Sequence, residues 1–239
     1  MIIHESTHQG SEQWDEWRAV RATASEFGKI FTGGGKVSGQ REAYMRKCAV
    51  ARQYKLPAWA GNEHTDRGHA LEPVARQMFT DLSGLDVREV TCIEHENGLC
   101  GGSPDSLIYA PDGRLISGLE IKCYGYEKHV GIVTEGKMPT DCKPQVHGLL
   151  FLSRLPCWQF MVYHDDALPF DMRTIEIEPD AYTDALENEV MAFCEELDRR
   201  ADEFIADFEK SLRTPLMERM PILRKTMGKL EPELEEALI

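Results

Sequence analysis

The sequence predicts a mixed α/β fold: a central sheet flanked by helices and followed by a helical extension. Three observations predict it: helical periodicity through the first third of the chain, a switch to strand patterning near residue 86, and a long helical pattern from about residue 180. In chain order, "SEQWDEWRAV" opens as a helix capped by Ser11, "TASEFGKIF" as a second, short one whose "TASE" start forms a capping box, and "REAYMRKCAVARQY" as a third. "TGGGKVSGQ" between the last two is a loop. It is not a phosphate-binding P-loop, because the required glycine spacing is absent and Val37 stands where Ser or Thr is needed. "LEPVARQMFTDL" places Leu71, Val74, Ala75, Met78, Phe79 and Leu82 on one helical face.

From there the period becomes two. "DVREVTCIEH", "DSLIYA" and "RLISGLEIKC" read as strands, the last two joined through "PDG" as an antiparallel hairpin or meander. Helices are expected at about 125 to 135 and 141 to 153, strands at "CWQFMVYH" and "MRTIEIE", and a long helix from about 180 to 211. Residues 1–213 read as a single domain and 214–239 as a helical tail or interaction segment, interrupted by Pro215, Pro221 and Pro232 yet rich in Leu and Met.

Composition sets bounds on function. No run reaches the roughly 20 apolar residues of a membrane span, and "MIIHESTHQGSEQW" lacks a signal-peptide pattern, so a cytoplasmic protein with no membrane partner is expected. Seven scattered cysteines, odd in number and without a Cys-x-x-Cys pair, argue against a disulfide framework and against zinc or iron–sulfur centres. The net charge of −14 is concentrated at the end: residues 180–239 hold 16 acids and 8 bases. A local basic surface on the body is therefore compatible with the sum.

The chemistry converges on "GGSPDSLIYAPDGRLISGLEIKC", residues 101–123. In a strand, residues two apart share a face, so Glu120 and Lys122 point one way while Leu119 and Ile121 point into the opposite side. Asp105, at the start of the neighbouring strand, can lie across from Glu120 and bring a second carboxylate close. Two carboxylates near a lysine are unfavourable unless a cation joins them, and a hard divalent ion such as Mg²⁺ takes such oxygens together with the main-chain carbonyl of Ile121. Lys122 would then position or deprotonate the attacking water and offset phosphate charge. An ordinary cross-strand Glu–Lys pair and a turn Asp is the plainer reading of the same residues.

"SPD" followed by "LEIKC" resembles the PD-(D/E)xK nuclease core, and the wider pattern is similar to the phage lambda exonuclease or viral recombinase (YqaJ-like) nuclease family. "WRAVRATASEF" resembles that family's N-terminal segment, which implies that Arg18 and Ser25 hold a DNA 5′-phosphate. "RGHALEPVARQMF" resembles the helix that supplies a further acid, here Glu72, and "KPQVHGLLF" the helix whose Gln corresponds to Gln145. The resemblance implies a Mg²⁺-dependent exodeoxyribonuclease, with Mn²⁺ as a substitute ion, acting 5′ to 3′ on linear duplex DNA. It also implies a homotrimeric ring and a single-strand annealing protein as partner. A restriction-type endonuclease on the same core, which would cut closed circles, and a catalytically silent DNA-binding scaffold are the alternatives.

The individual residues have plainer readings as well. Glu72 precedes Pro73 and could merely cap a helix beginning at that proline. Arg18 could end a solvated helix, and Gln145 could face solvent at a helix start. Trp14 and Trp17 read as packing residues rather than base-stacking platforms, and His147 is the histidine expected nearest the site.

Overall fold

A five-stranded mixed sheet carries the centre of the molecule in the computed structural model, which describes residues 1–5, 8–55, 63–166, 171–214 and 218–219. Its strands are β3 (Asp86–Arg88), β6 (Ser106–Tyr109), β7 (Leu115–Lys122), β8 (Trp158–Tyr163) and β9 (Met172–Ile177), in the order β3-β6-β7-β8-β9. The β6–β7 hairpin is antiparallel as expected, β7 and β8 run parallel, and β8 and β9 are antiparallel. A second sheet of four short strands has the order β1-β4-β5-β2, from β1 (Ile2–His4), β2 (Ala22–Thr23), β4 (Cys92–Glu94) and β5 (Cys100–Gly102). The stretch expected as one strand over 86–95 is therefore divided: β3 and β4 belong to different sheets.

Among the described residues, six α-helices surround these sheets: α1 (Glu12–Ala19), α2 (Arg41–Tyr54), α3 (Glu63–Ser83), α4 (Tyr126–Glu135), α5 (Lys143–Ser153) and α6 (Ala181–Arg213). Ser11 caps α1 by accepting from the Trp14 amide. Asp180 caps α6 within a reciprocal capping box with Thr183. The short helix expected at "TASEFGKIF" is a 3-10 helix over Ala24–Lys29, and its expected capping box does not form. Thr23 makes no side-chain cap, while Glu26 pairs instead with Lys29 and Lys47.

The two faces of β7 are packed differently. Leu119 and Ile121, with Ile108 and Met161, form a small core against Ala75 and Phe79 of α3. The larger core lies among α2, α5, α6 and the other side of the sheet, around Phe27, Leu149, Phe151, Trp158, Phe160 and Phe193. Trp158 is pressed so closely onto β7 that a Cβ at Gly118 would stand 2.2 Å from its ring, which only glycine permits. On α3, Val74 and Leu82 are exposed (48% and 71%), so the predicted apolar face narrows to Leu71, Ala75, Met78 and Phe79.

Pro73 lies inside α3 rather than at its start. Its ring removes one backbone hydrogen bond, and packing of the following turn against the sheet outweighs that loss. Glu72 is consequently a mid-helix residue, not a cap. All seven cysteines are free, five of them buried. The proline-interrupted tail expectation, residues 215–217 and 220–239, lies outside the described residues.

Candidate active site

The hairpin register pairs Ser106 with Leu119, so the residue before β6, Asp105, stands across from Glu120. Asp105 Oδ2 accepts from the Ile121 amide at 2.5 Å, which ties the acid to the strand carrying Glu120 and Lys122. Glu120 is 1% exposed. Its Oε1 accepts from Lys122 Nζ at 2.6 Å and from Gln145 Nε2, which α5 brings over the sheet. Its Oε2 is buried and has no hydrogen-bond partner among the described residues. A buried carboxylate oxygen left without a donor is costly in a finished core. It is the arrangement expected of an oxygen awaiting a cation.

The charges around it do not cancel. Burial, then the Asp105 carboxylate, raises the Glu120 pKa to about 8. Burial and again Asp105 raise Glu72 to about 7, against the opposing effect of Arg76. For Lys122, burial works to lower the pKa, but the Glu120 and Asp105 carboxylates outweigh it and the net direction is upward. Lys122 is thus held as an ammonium in a site with three acids. A divalent cation bound by oxygen would relieve the repulsion, and the donor set fits a hard ion such as Mg²⁺.

A second group also has metal-ligating chemistry. His164, Asp165 and Asp166 have ligand atoms within 4.8 Å of one another, a tighter set among the described residues than Glu72, Asp105 and Glu120. These three are consecutive in a turn after β8, and Asp165 already pairs with Arg67 Nη2 at 2.6 Å. His164 Nδ1 is occupied by the Asp166 amide at 3.1 Å.

Arg18 and Ser25 also meet. Arg18 Nη2 donates to Ser25 Oγ at 3.1 Å, with the guanidinium 4.5 Å above the Trp14 ring centroid. Trp14 and Trp17 are anchored through their indole nitrogens to Ser103 and Glu94, each at 2.8 Å, in keeping with packing roles. The 3-10 helix that bears Ser25 is seated on α5, where Phe27 stacks on Phe151 and Gly28 faces Pro144, next to Gln145. His147, in contrast, turns away from the site. It is buried, hydrogen-bonded to Thr183 Oγ1 at 2.7 Å and packed on Tyr182.

Two arginines went unseen in the sequence. Arg76 donates to Glu72 at 2.6 Å, to Ser106 Oγ at 2.8 Å and to the Asp105 carbonyl at 3.3 Å. Arg67 reaches the carbonyls of Cys123 and Tyr124 just beyond β7 at 3.5 and 3.3 Å. The only local signal was the four-residue spacing of Glu72 and Arg76, which places them on one helical face.

A carboxylate before one strand of a hairpin, and a Glu-x-Lys pair on the next strand of a mixed sheet, define the PD-(D/E)xK nuclease fold class. The chain belongs to the YqaJ-like viral recombinase domain family, whose model matches residues 13–154 and so spans every candidate site residue from Arg18 to Gln145. It is similar to the crystal structure of an alkaline exonuclease (LHK-Exo) from Laribacter hongkongensis, with a TM-score of 0.72 and 27% identity over 84% of this chain and 99% of that one. The same exonuclease in complex with dAMP gives a TM-score of 0.71 at 27% identity over the same shares. A phage-related exonuclease from Haemophilus somnus 129PT shares the fold at a TM-score of 0.60 and 18% identity, over 79% of this chain and 96% of that one. Comparison with curated protein sequences gives no match. Among the described residues, no helix is long and apolar enough to cross a membrane.

Proposed function

We propose that this chain is a Mg²⁺-dependent exodeoxyribonuclease that digests one strand of linear duplex DNA from the 5′ end, exposing single strands for phage-type recombination by strand annealing. The observation that carries the reading is the buried Oε2 of Glu120, without a hydrogen-bond partner among the described residues, beside Asp105, with Lys122 and Gln145 on the other oxygen of the same carboxylate. In this reading Asp105, Glu120 and the Ile121 carbonyl hold the cation. The ion supplies Lewis-acid polarisation of a phosphodiester and activation of a water. Gln145 fixes the Glu120 rotamer so that Oε2 faces inward. The Lys122 ammonium orients the attacking water and offsets phosphate charge, and Glu72 completes the acidic group. Arg18 and Ser25 bind the terminal 5′-phosphate, which sets the direction of digestion. Mn²⁺, with similar oxygen preference, substitutes for Mg²⁺.

The same reading assigns residues 1–213 to the nuclease unit and 214–239 to a segment that docks a single-strand annealing protein in the cytoplasm of a bacterial or phage-infected cell. Three copies form a ring that places basic side chains inward, which lets so acidic a chain hold DNA. The test uses the full chain on linear duplexes labelled at either end, with closed circles beside them, in Mg²⁺ or in EDTA. Mg²⁺-dependent loss of label from 5′-phosphorylated ends, with circles intact, is expected. Cutting of circles would install the endonuclease alternative, and no hydrolysis in Mg²⁺ or Mn²⁺ would install the silent scaffold. Light scattering is expected to give three times the mass of one chain, and a monomer at micromolar concentration would remove the ring.

A further inference from the structure

We propose that Arg76 is a positioning residue of this site, holding the Glu72 carboxylate at a fixed place beside Asp105. The proposal rests on the reading of Glu72 as a member of the active site. Arg76 stands one turn after Glu72 on α3 and is largely buried, and its guanidinium reaches acceptors on three segments. Nη2 donates to Glu72 Oε1 at 2.6 Å and to the Asp105 carbonyl at 3.3 Å. Nε donates to Ser106 Oγ at 2.8 Å, and that hydroxyl donates in turn to the Asp105 carbonyl at 2.6 Å. Nη1 faces the exposed Glu89 at 3.3 Å.

One planar cation therefore grips the side chain of Glu72 and the backbone that delivers Asp105. Those two acids repel each other, and Glu72 has flexible torsions that could swing its carboxylate toward solvent. The Arg76 fork opposes that swing while fixing the start of β6 through Ser106. Lysine could not replace it, since a point charge on a flexible stem cannot address three acceptors in fixed directions. These hydrogen bonds of Arg76 all go to protein acceptors, and its assigned action is through Glu72.

The test measures Mg²⁺-dependent digestion of a 5′-phosphorylated duplex by the unmutated chain, Arg76→Met, Arg76→Lys, Glu72→Gln and the Glu72→Gln/Arg76→Met double variant, with thermal unfolding alongside. Arg76→Met is expected to lower kcat by about 10- to 100-fold with KM within about twofold, and Arg76→Lys to fall between it and the unmutated chain. The double variant is expected to be no slower than Glu72→Gln alone, within about threefold, because both changes remove one shared interaction. Losses that multiply in the double variant, or an Arg76→Met chain with full kcat, would overturn the proposal. Should Arg76→Met not fold, Arg76→Lys and its double with Glu72→Gln carry the same comparison. A Glu72→Gln chain as fast as the unmutated one would overturn the reading of Glu72 itself, and the proposal with it, a result distinct from multiplying losses.

Discussion

Two clusters of acids and bases in this molecule use the same residue types to opposite ends. Between α2 and α6, Arg200 grips both oxygens of Glu42 at 3.0 Å and Glu196 at 2.9 Å, while Arg41 reaches Glu196 at 2.6 Å. Hydrogen bonds from Arg200 hold the Glu42 carboxyl below its ordinary pKa, and those from Arg41 and Arg200 do the same for Glu196. On the middle strand of the central sheet and the helix packed against it, burial and neighbouring acids push Glu120 and Glu72 up instead, to about 8 and about 7. Paired charges at a surface hold helices together. Crowded, buried acids with an orphaned oxygen store repulsion that a cation can relieve, and that difference separates a clasp from a site.

The largest expected effect separates the two clusters outright. Lys122→Ala, Asp105→Asn and Glu120→Gln are each expected to lower Mg²⁺-dependent kcat by at least about 10³-fold with folding intact by circular dichroism. Near-normal turnover in all three would dismantle the site. Next comes the proposed pocket for the DNA end. Arg18→Ala is expected to abolish a preference for 5′-phosphorylated over 5′-hydroxyl duplexes of about tenfold or more, measured as initial rates. Equal rates on both ends in the unmutated chain would remove Arg18 and Ser25 from end recognition.

A third contrast lies in pH. Because the folded-state pKa of Glu120 is raised from 4.5 to about 8, the folded chain binds more protons than the unfolded one between those values. The contribution of this group to the stability of the metal-free protein is therefore complete below the lower value and falls as pH rises toward the upper one. Denaturant midpoints in EDTA are expected to show that decline, and Glu120→Gln to flatten it. Added Mg²⁺ should raise the midpoint more at pH 8 than at pH 6, since its ligands must be ionised. A decline unchanged by Glu120→Gln would place the titrating group elsewhere. The smallest effect belongs to the clasp: Arg200→Ala is expected to lower Tm by at most about 3 °C and to leave kcat unchanged.

The hairpin and its charges were legible because each signal was local. "PDG" marked the turn and strand alternation placed Glu120 and Lys122 on one face, but the one-residue register shift between Ile108 and Tyr109, which brings Asp105 across from Glu120 instead of Leu119, carries no such local signal. The four-stranded sheet was not legible, because its strands are only two or three residues long and one is the glycine-rich Cys100–Gly102. No periodicity can show in so few residues. The proline rule pointed to a helix boundary at Pro73, and burial of Ala75 and Phe79 against the sheet overrode it. The bonds of Arg76 to Asp105 and Ser106 cross about 30 positions of sequence, so their partners emerge only once α3 is laid on the sheet. His147 shows the converse: two residues from Gln145 in sequence, it points along a different side of α5 and belongs to the packing of α6.

The central claim is that the Asp105–Glu120 pair, and not another acidic group, holds the divalent ion. Crystals of the full chain grown with Mn²⁺ test it through the position of the anomalous scattering peak. The account predicts a peak between the Asp105 carboxylate and Glu120 Oε2, lost in Asp105→Asn crystals. A peak held instead by His164, Asp165 and Asp166, with none at Asp105 and Glu120, would contradict it.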